Sequence, residues 1–193
     1  MTAIKYAVKA VGKAFASALG MKVNPAAAYT AIFGSVTITK GLANANDYCT
    51  NHMGSAGGCT SSGHLINFAK LQQETVSGGG VITEKIAFMA ARNNVVHELG
   101  HAFANLWYRK DGKYDYSGPY GQISNNLRNE SGFAPLPSDV IPGSVLIWRQ
   151  HPNDTSPQEI FADMFLGWTF NTWAANDIGR SAFMNTNMAA WVR

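Results

Sequence analysis

Asn94-Val95-Val96-His97-Glu98-Leu99-Gly100-His101-Ala102-Phe103 is the stretch from which the rest of the chain is read. Histidines four positions apart on a helix stand about 40° apart around its axis, so both imidazoles leave one face and can hold one metal ion. Glu98 sits beside them. In this HExxH arrangement the histidines ligate zinc and the glutamate is the general base for water activated there. The competing reading is that His97, Glu98 and His101 are ordinary helix residues.

Working outward, Glu84 to Tyr108 contains no proline and no glycine apart from Gly100, which predicts one long helix. Ile86, Met89, Ala90, Val96, Phe103, Leu106 and Trp107 are its expected buried contacts. Glu84, Lys85, Arg92, Arg109 and Lys110 mark its wetter parts.

A length of 193 residues with 46% hydrophobic content fits one domain, 1–193. Its N-terminal part, 1–62, carries a helix, a strand and a cysteine loop, and 63–193 is the catalytic core. The expected class is α+β, predominantly helical with a small β-sheet. Charged residues make up only 14% of the chain, against a usual ~25%. Asn, Ser, Thr and Gly take their place, which points to an extracellular protein. The net charge of +3 is small and dispersed, which argues against a nucleic-acid partner.

Ala3 to Leu19 spaces Ile4, Val8, Val11, Phe15 and Leu19 as an amphipathic helix, with Lys5, Lys9 and Lys13 as a second stripe. A membrane-surface helix shares this pattern, but a core-packed helix with solvated lysines is the preferred reading. Lys9 and Lys13 interrupt the apolar run that a signal peptide requires. Asn24-Pro25 is expected to break the helix, and Ala31 to Thr39 reads as a strand or short hairpin. The uncharged stretch from Val23 to Thr39 is too short to span a bilayer, so no stable membrane insertion is expected.

Cys49, His52, Cys59 and His64 lie in a Gly/Ser-rich stretch. A Cys49–Cys59 disulfide suits a secreted protein. A second zinc site built from all four residues and a pair of free thiols are the alternatives. Gly63 to Val76 is expected to be a helix, followed by the linker Ser77-Gly78-Gly79-Gly80. Thr83 is placed to cap the long helix.

After Asp111-Gly112, a turn signal, comes Tyr114-Asp115-Tyr116-Ser117-Gly118-Pro119-Tyr120-Gly121, which reads as a cleft wall or a packed loop. Asn125 to Pro142 is expected to be loop and Ser144 to Arg149 a strand. Ser156 as N-cap, Pro157 at the first helical position and Glu159 at the third start another helix. Glu159 can thus be a capping residue alone. Catalytic zinc, however, takes three protein ligands, and Glu159 and Asp163 project together one turn apart. Glu159 is therefore read as the third ligand and Asp163 as acceptor of a ligating histidine's N–H. The stretch from Trp168 to Arg193 continues as one or two helices, with Trp173, Phe183, Met184, Met188 and Trp191 in the core.

His97-Glu98-x-x-His101 followed by Glu159-x-x-x-Asp163 resembles the gluzincin clan of zinc metallopeptidases, the thermolysin-like arrangement, and the short chain looks like its minimal members. The resemblance covers these two helices. It implies a zincin fold, with a cleft between a small sheet and the zinc helix, and helices below. One zinc ion is held by His97, His101 and Glu159, with Glu98 as general base and acid and Asp163 behind a histidine. The third histidine of the other zincin signature is absent, since position 107 is tryptophan. No His or Tyr follows Glu159 to steady an oxyanion, so Tyr116, Tyr120, His151 and Arg180 are the candidates for oxyanion or substrate contact. The expected activity is endopeptidase hydrolysis by a secreted monomer acting on peptide or protein substrates. A zinc hydrolase of a non-peptide amide and a catalytically vestigial binding protein are the alternatives.

Overall fold

The computed structural model describes residues 2–20, 24–40, 58–61, 65–68, 84–109, 111, 113–129, 156–173 and 178–192. In chain order these form α1 (Thr2–Ala18), α2 (Pro25–Phe33), β1 (Thr37–Lys40), β2 (Cys59–Ser61), β3 (Leu65–Phe68), α3 (Glu84–Asn105), a 3-10 turn (Tyr120–Gln122), α4 (Asn125–Asn129), α5 (Pro157–Phe170) and α6 (Ile178–Trp191). The class is α+β, mostly helical with a small sheet.

In α1 the spacing works as read. Val11 and Phe15 are buried, while Lys5, Lys9 and Lys13 face solvent. Phe15 is a hub, its ring 5.5 Å from Phe33, 5.7 Å from Phe103 and 6.1 Å from Phe165. One hydrophobic cluster runs from α1 and α2 through Ile66 and Phe68 to α3, α5 and α6.

Two expectations before the long helix are corrected. Ala31 to Phe33, expected as the start of a strand, ends α2 instead. The Asn24 side chain accepts from the Ala26 N–H at 2.9 Å, Pro25 occupies the first turn, and Gly34 at φ 65° closes the helix. The expected breaker is thus a helix start, and extended backbone begins at Thr37. Leu65 to Phe68, expected within a helix, is the central strand of a sheet ordered β1-β3-β2. It pairs in parallel with β1 (Ile38↔Ile66) and antiparallel with β2 (Thr60↔Ile66). Ile66, Asn67 and Phe68 are all buried. Hydrogen bonding on both edges and burial outweigh a weak helical spacing, a competition that a short apolar run leaves undecided.

The long helix α3 stops at Asn105, short of the expected Tyr108. The N–H groups of Leu106, Trp107 and Tyr108 turn back to the carbonyls of Phe103, Ala104 and Asn105, and Tyr108 then bridges Tyr114. Leu106, expected in the core, is 37% exposed, whereas Val96 and Phe103 are buried and Met89 and Trp107 partly so. Residues 125–129, expected as loop, form α4. Two separate helices, α5 and α6, occupy the C-terminal stretch, with Met184 and Met188 fully buried. The expectations for residues 69–83, for the strand 144–149 and for the remainder of 130–142 lie outside the described residues. No described helix is long and apolar enough to cross a membrane.

Candidate metal centre

The site is made where α3 meets α5. Gly100 allows that contact, because a Cβ there would stand 3.0 Å from the Ala162 Cα and 3.0 Å from the Phe165 Cβ. The missing side chain lets the two backbones approach. Ser156 starts α5 by accepting the Glu159 N–H at 3.4 Å, with Pro157 in the first turn. This cap fixes Glu159 in the first turn of α5 and Asp163 one turn on, both toward His97.

The ligand atoms converge. The Nε2 of His97 lies 3.0 Å from Glu159 Oε2 and 3.2 Å from His101 Nε2, and His101 Nε2 lies 3.4 Å from Glu159 Oε1. One ligand atom from each of His97, His101 and Glu159 falls within 4.8 Å of the others, so this group can hold a metal ion. His97 Nδ1 faces Asp163 Oδ1 at 2.9 Å, and His101 Nδ1 faces the Tyr120 hydroxyl at 3.1 Å. Each histidine therefore has its far nitrogen engaged and its near nitrogen aimed at the cluster, the arrangement that orients ligating imidazoles.

The electrostatics favour positive charge at this point. Burial pushes the His97 imidazole down, but its hydrogen bonds to Asp163 and Glu159, with the charges of Asp163 and Glu98, push it further up, to about 10. His97 and Asp163 are buried, whereas His101 and Glu159 keep side-chain exposures of 14% and 16%.

Glu98 is buried beside the cluster and turned toward the sheet. The Thr60 hydroxyl on β2 lies 2.7 Å from Glu98 Oε2 and 3.0 Å from the Glu98 carbonyl. At Gly58 a Cβ would stand 2.9 Å from Glu98 Oε1 and 2.8 Å from the Phe68 ring, so glycine there leaves room for the carboxylate.

No family model, curated protein or solved structure matches this chain. The site is therefore read from its own geometry.

Of the five residues expected at the centre, His97, His101, Glu159 and Asp163 are brought together, and Glu98 lies beside them with its carboxylate turned to Thr60. The other candidates divide. Tyr120 is buried with its hydroxyl on His101, and burial holds that hydroxyl well above its usual pKa. Arg180 is fully buried, its Nε and Nη2 donating to the Leu127 carbonyl at 3.0 and 2.8 Å, so it ties α6 to α4. Tyr116 is 78% exposed. His151 lies outside the described residues, as do Cys49, His52 and His64.

Cys59 is disulfide-bonded, and the chain's only other cysteine is Cys49. That corrects the free-thiol and second-zinc-site readings, since a disulfide sulfur is not a thiolate ligand. Sequence reasoning missed Thr60 as the partner of Glu98. Its only local signal was the extended character of Cys59-Thr60-Ser61, which carries no information about a glutamate so distant in sequence.

Proposed function

We propose that the chain is a gluzincin-like zinc metallopeptidase that hydrolyses peptide bonds. The observation that carries the reading is the convergence of two histidine nitrogens and one distant carboxylate, backed by Asp163 and flanked by a buried glutamate. Zinc–ligand bonds of about 2.0–2.2 Å imply ligand separations of about 3.3–3.6 Å in a tetrahedron. The separations of 3.0, 3.2 and 3.4 Å, the first and last taken to different Glu159 oxygens, lie within or just short of that range, and one atom from each residue falls within 4.8 Å of the others. Two imidazoles and one carboxylate are also a donor set of catalytic zinc, with the fourth position open to substrate or water.

When bound, zinc supplies a Lewis acid that polarises an amide carbonyl and makes water acidic near neutral pH. Glu98 takes the proton from the attacking water and delivers it to the departing amine nitrogen. The Thr60 hydroxyl holds the Glu98 carboxylate in place for both transfers. Asp163 fixes the His97 ring by accepting its Nδ1–H. The disulfide at Cys59 supports secretion into an oxidising compartment.

The test is Glu98→Gln, assayed for zinc content and for cleavage of an unstructured protein such as casein. Zinc content is expected to stay at one per chain while turnover falls on the order of 10²–10⁴-fold. Equal turnover in the variant removes Glu98 from its role. A zinc-loaded wild type that cleaves no peptide but hydrolyses small amides moves the substrate class.

A further inference from the structure

The two histidines are backed by different chemistry. Asp163, behind His97, is a carboxylate and as an anion only accepts a hydrogen bond. Tyr120, behind His101, is a phenol and either accepts or donates. Tyr120 is held firmly. Its backbone N–H donates to the Tyr114 hydroxyl at 2.8 Å, its ring stacks on Tyr114 at 5.1 Å, and it meets Phe161 edge-on at 6.0 Å. The hydroxyl 3.1 Å from His101 Nδ1 is therefore placed by a packed scaffold.

We propose that Tyr120 is a positioning residue that keeps His101 Nε2 in the cluster by accepting the hydrogen bond of Nδ1–H. The proposal rests on the metal-centre reading. With an ion bound, the single ring proton of neutral His101 sits on Nδ1 and is donated to the Tyr120 oxygen, which leaves the Nε2 lone pair for the ion. Asp163 holds the buried His97 ring in the same way from the other side. Metal enters and leaves by the side of His101 and Glu159, the two ligands whose side chains reach solvent.

Zinc affinity measured by chelator competition on the full chain tests this in wild type, Tyr120→Phe and Tyr114→Phe. Tyr120→Phe is expected to weaken zinc by about 10- to 100-fold, as losses behind metal-ligating histidines do. Tyr114→Phe loosens that scaffold but leaves the Tyr120 hydroxyl on the ring, and is expected to weaken zinc by a smaller factor. Unchanged affinity in Tyr120→Phe, or equal losses in both variants, overturns the proposal. Nitrogen-15 NMR of the wild-type histidine rings needs no variant. The His101 proton is expected on Nδ1 with zinc bound, and a proton on Nε2 overturns the proposal. A wild type that takes up no zinc removes the metal-centre reading and this proposal together. Zinc uptake with an indifferent Tyr120→Phe removes only the proposal.

Discussion

His97 and Glu98 are adjacent in the chain, yet about 100° of helix rotation sends them to differently built neighbourhoods. On the His97 side the partners come from α5, a helix whose residues Ile160 to Gly167 are all buried and whose start is fixed by a cap. On the Glu98 side the partner is one hydroxyl on a three-residue strand at the edge of a small sheet. On the proposed reading, metal holding is thus tied to helix packing, whereas among the described residues the Glu98 carboxylate is steadied by the Thr60 hydroxyl. Damage on the first side should cost metal; damage on the second should cost turnover alone.

The largest expected break in that contrast is Asp163→Ala. Zinc affinity is expected to fall by about 10- to 100-fold, read by chelator competition. An unchanged affinity means that α5 contributes no more to the ion than Glu159. The pH response sharpens the same side. In the metal-free protein the folded His97 value of about 10 lies above its ordinary 6.5. Stability from the protonated ring is therefore fully present below about pH 6.5 and is lost as pH rises through about 10. Zinc displaces that proton, so uptake at pH 7 is expected to release about one proton, with affinity rising about tenfold per pH unit up to about pH 10. Calorimetry in two buffers of different ionisation enthalpy reads the release, and no proton released refutes it. The smallest effect belongs to the sheet side. Thr60→Val is expected to lower kcat by about tenfold or less with zinc affinity unchanged, and Thr60→Ser to restore it. Loss of zinc in Thr60→Val erases the distinction between the two sides.

The same division explains what the sequence disclosed. His97, Glu98 and His101 are legible because helical spacing alone puts them together, and Ser156-Pro157 announces the helix that brings Glu159 and Asp163. The sheet was not legible. Leu65-Ile66-Asn67-Phe68 becomes a strand through its partners on β1 and β2, and no property of those four residues names them. Ala31 to Phe33 misleads because the β-branched character of Ala31 to Thr39 competes with the Asn24-Pro25 helix start. Tyr120 was noticed as an aromatic near the site, but its bond to His101 depends on how the loop after α3 folds back. Arg180 drew notice as a cation, and burial under α4 gives it a packing role instead.

Gly100 carries a last consequence. It is the point where the two ligand-bearing helices touch, so the calibre of the cluster is set by an atom that is not there. A methyl group at that position would act as a spacer in a pair of callipers, drawing Glu159 away from the imidazoles. One ion bonded to all three groups tolerates little such widening, because its bond lengths fix how far apart they stand. The glycine inside HELGH thus sets how near Glu159 comes to the two histidines.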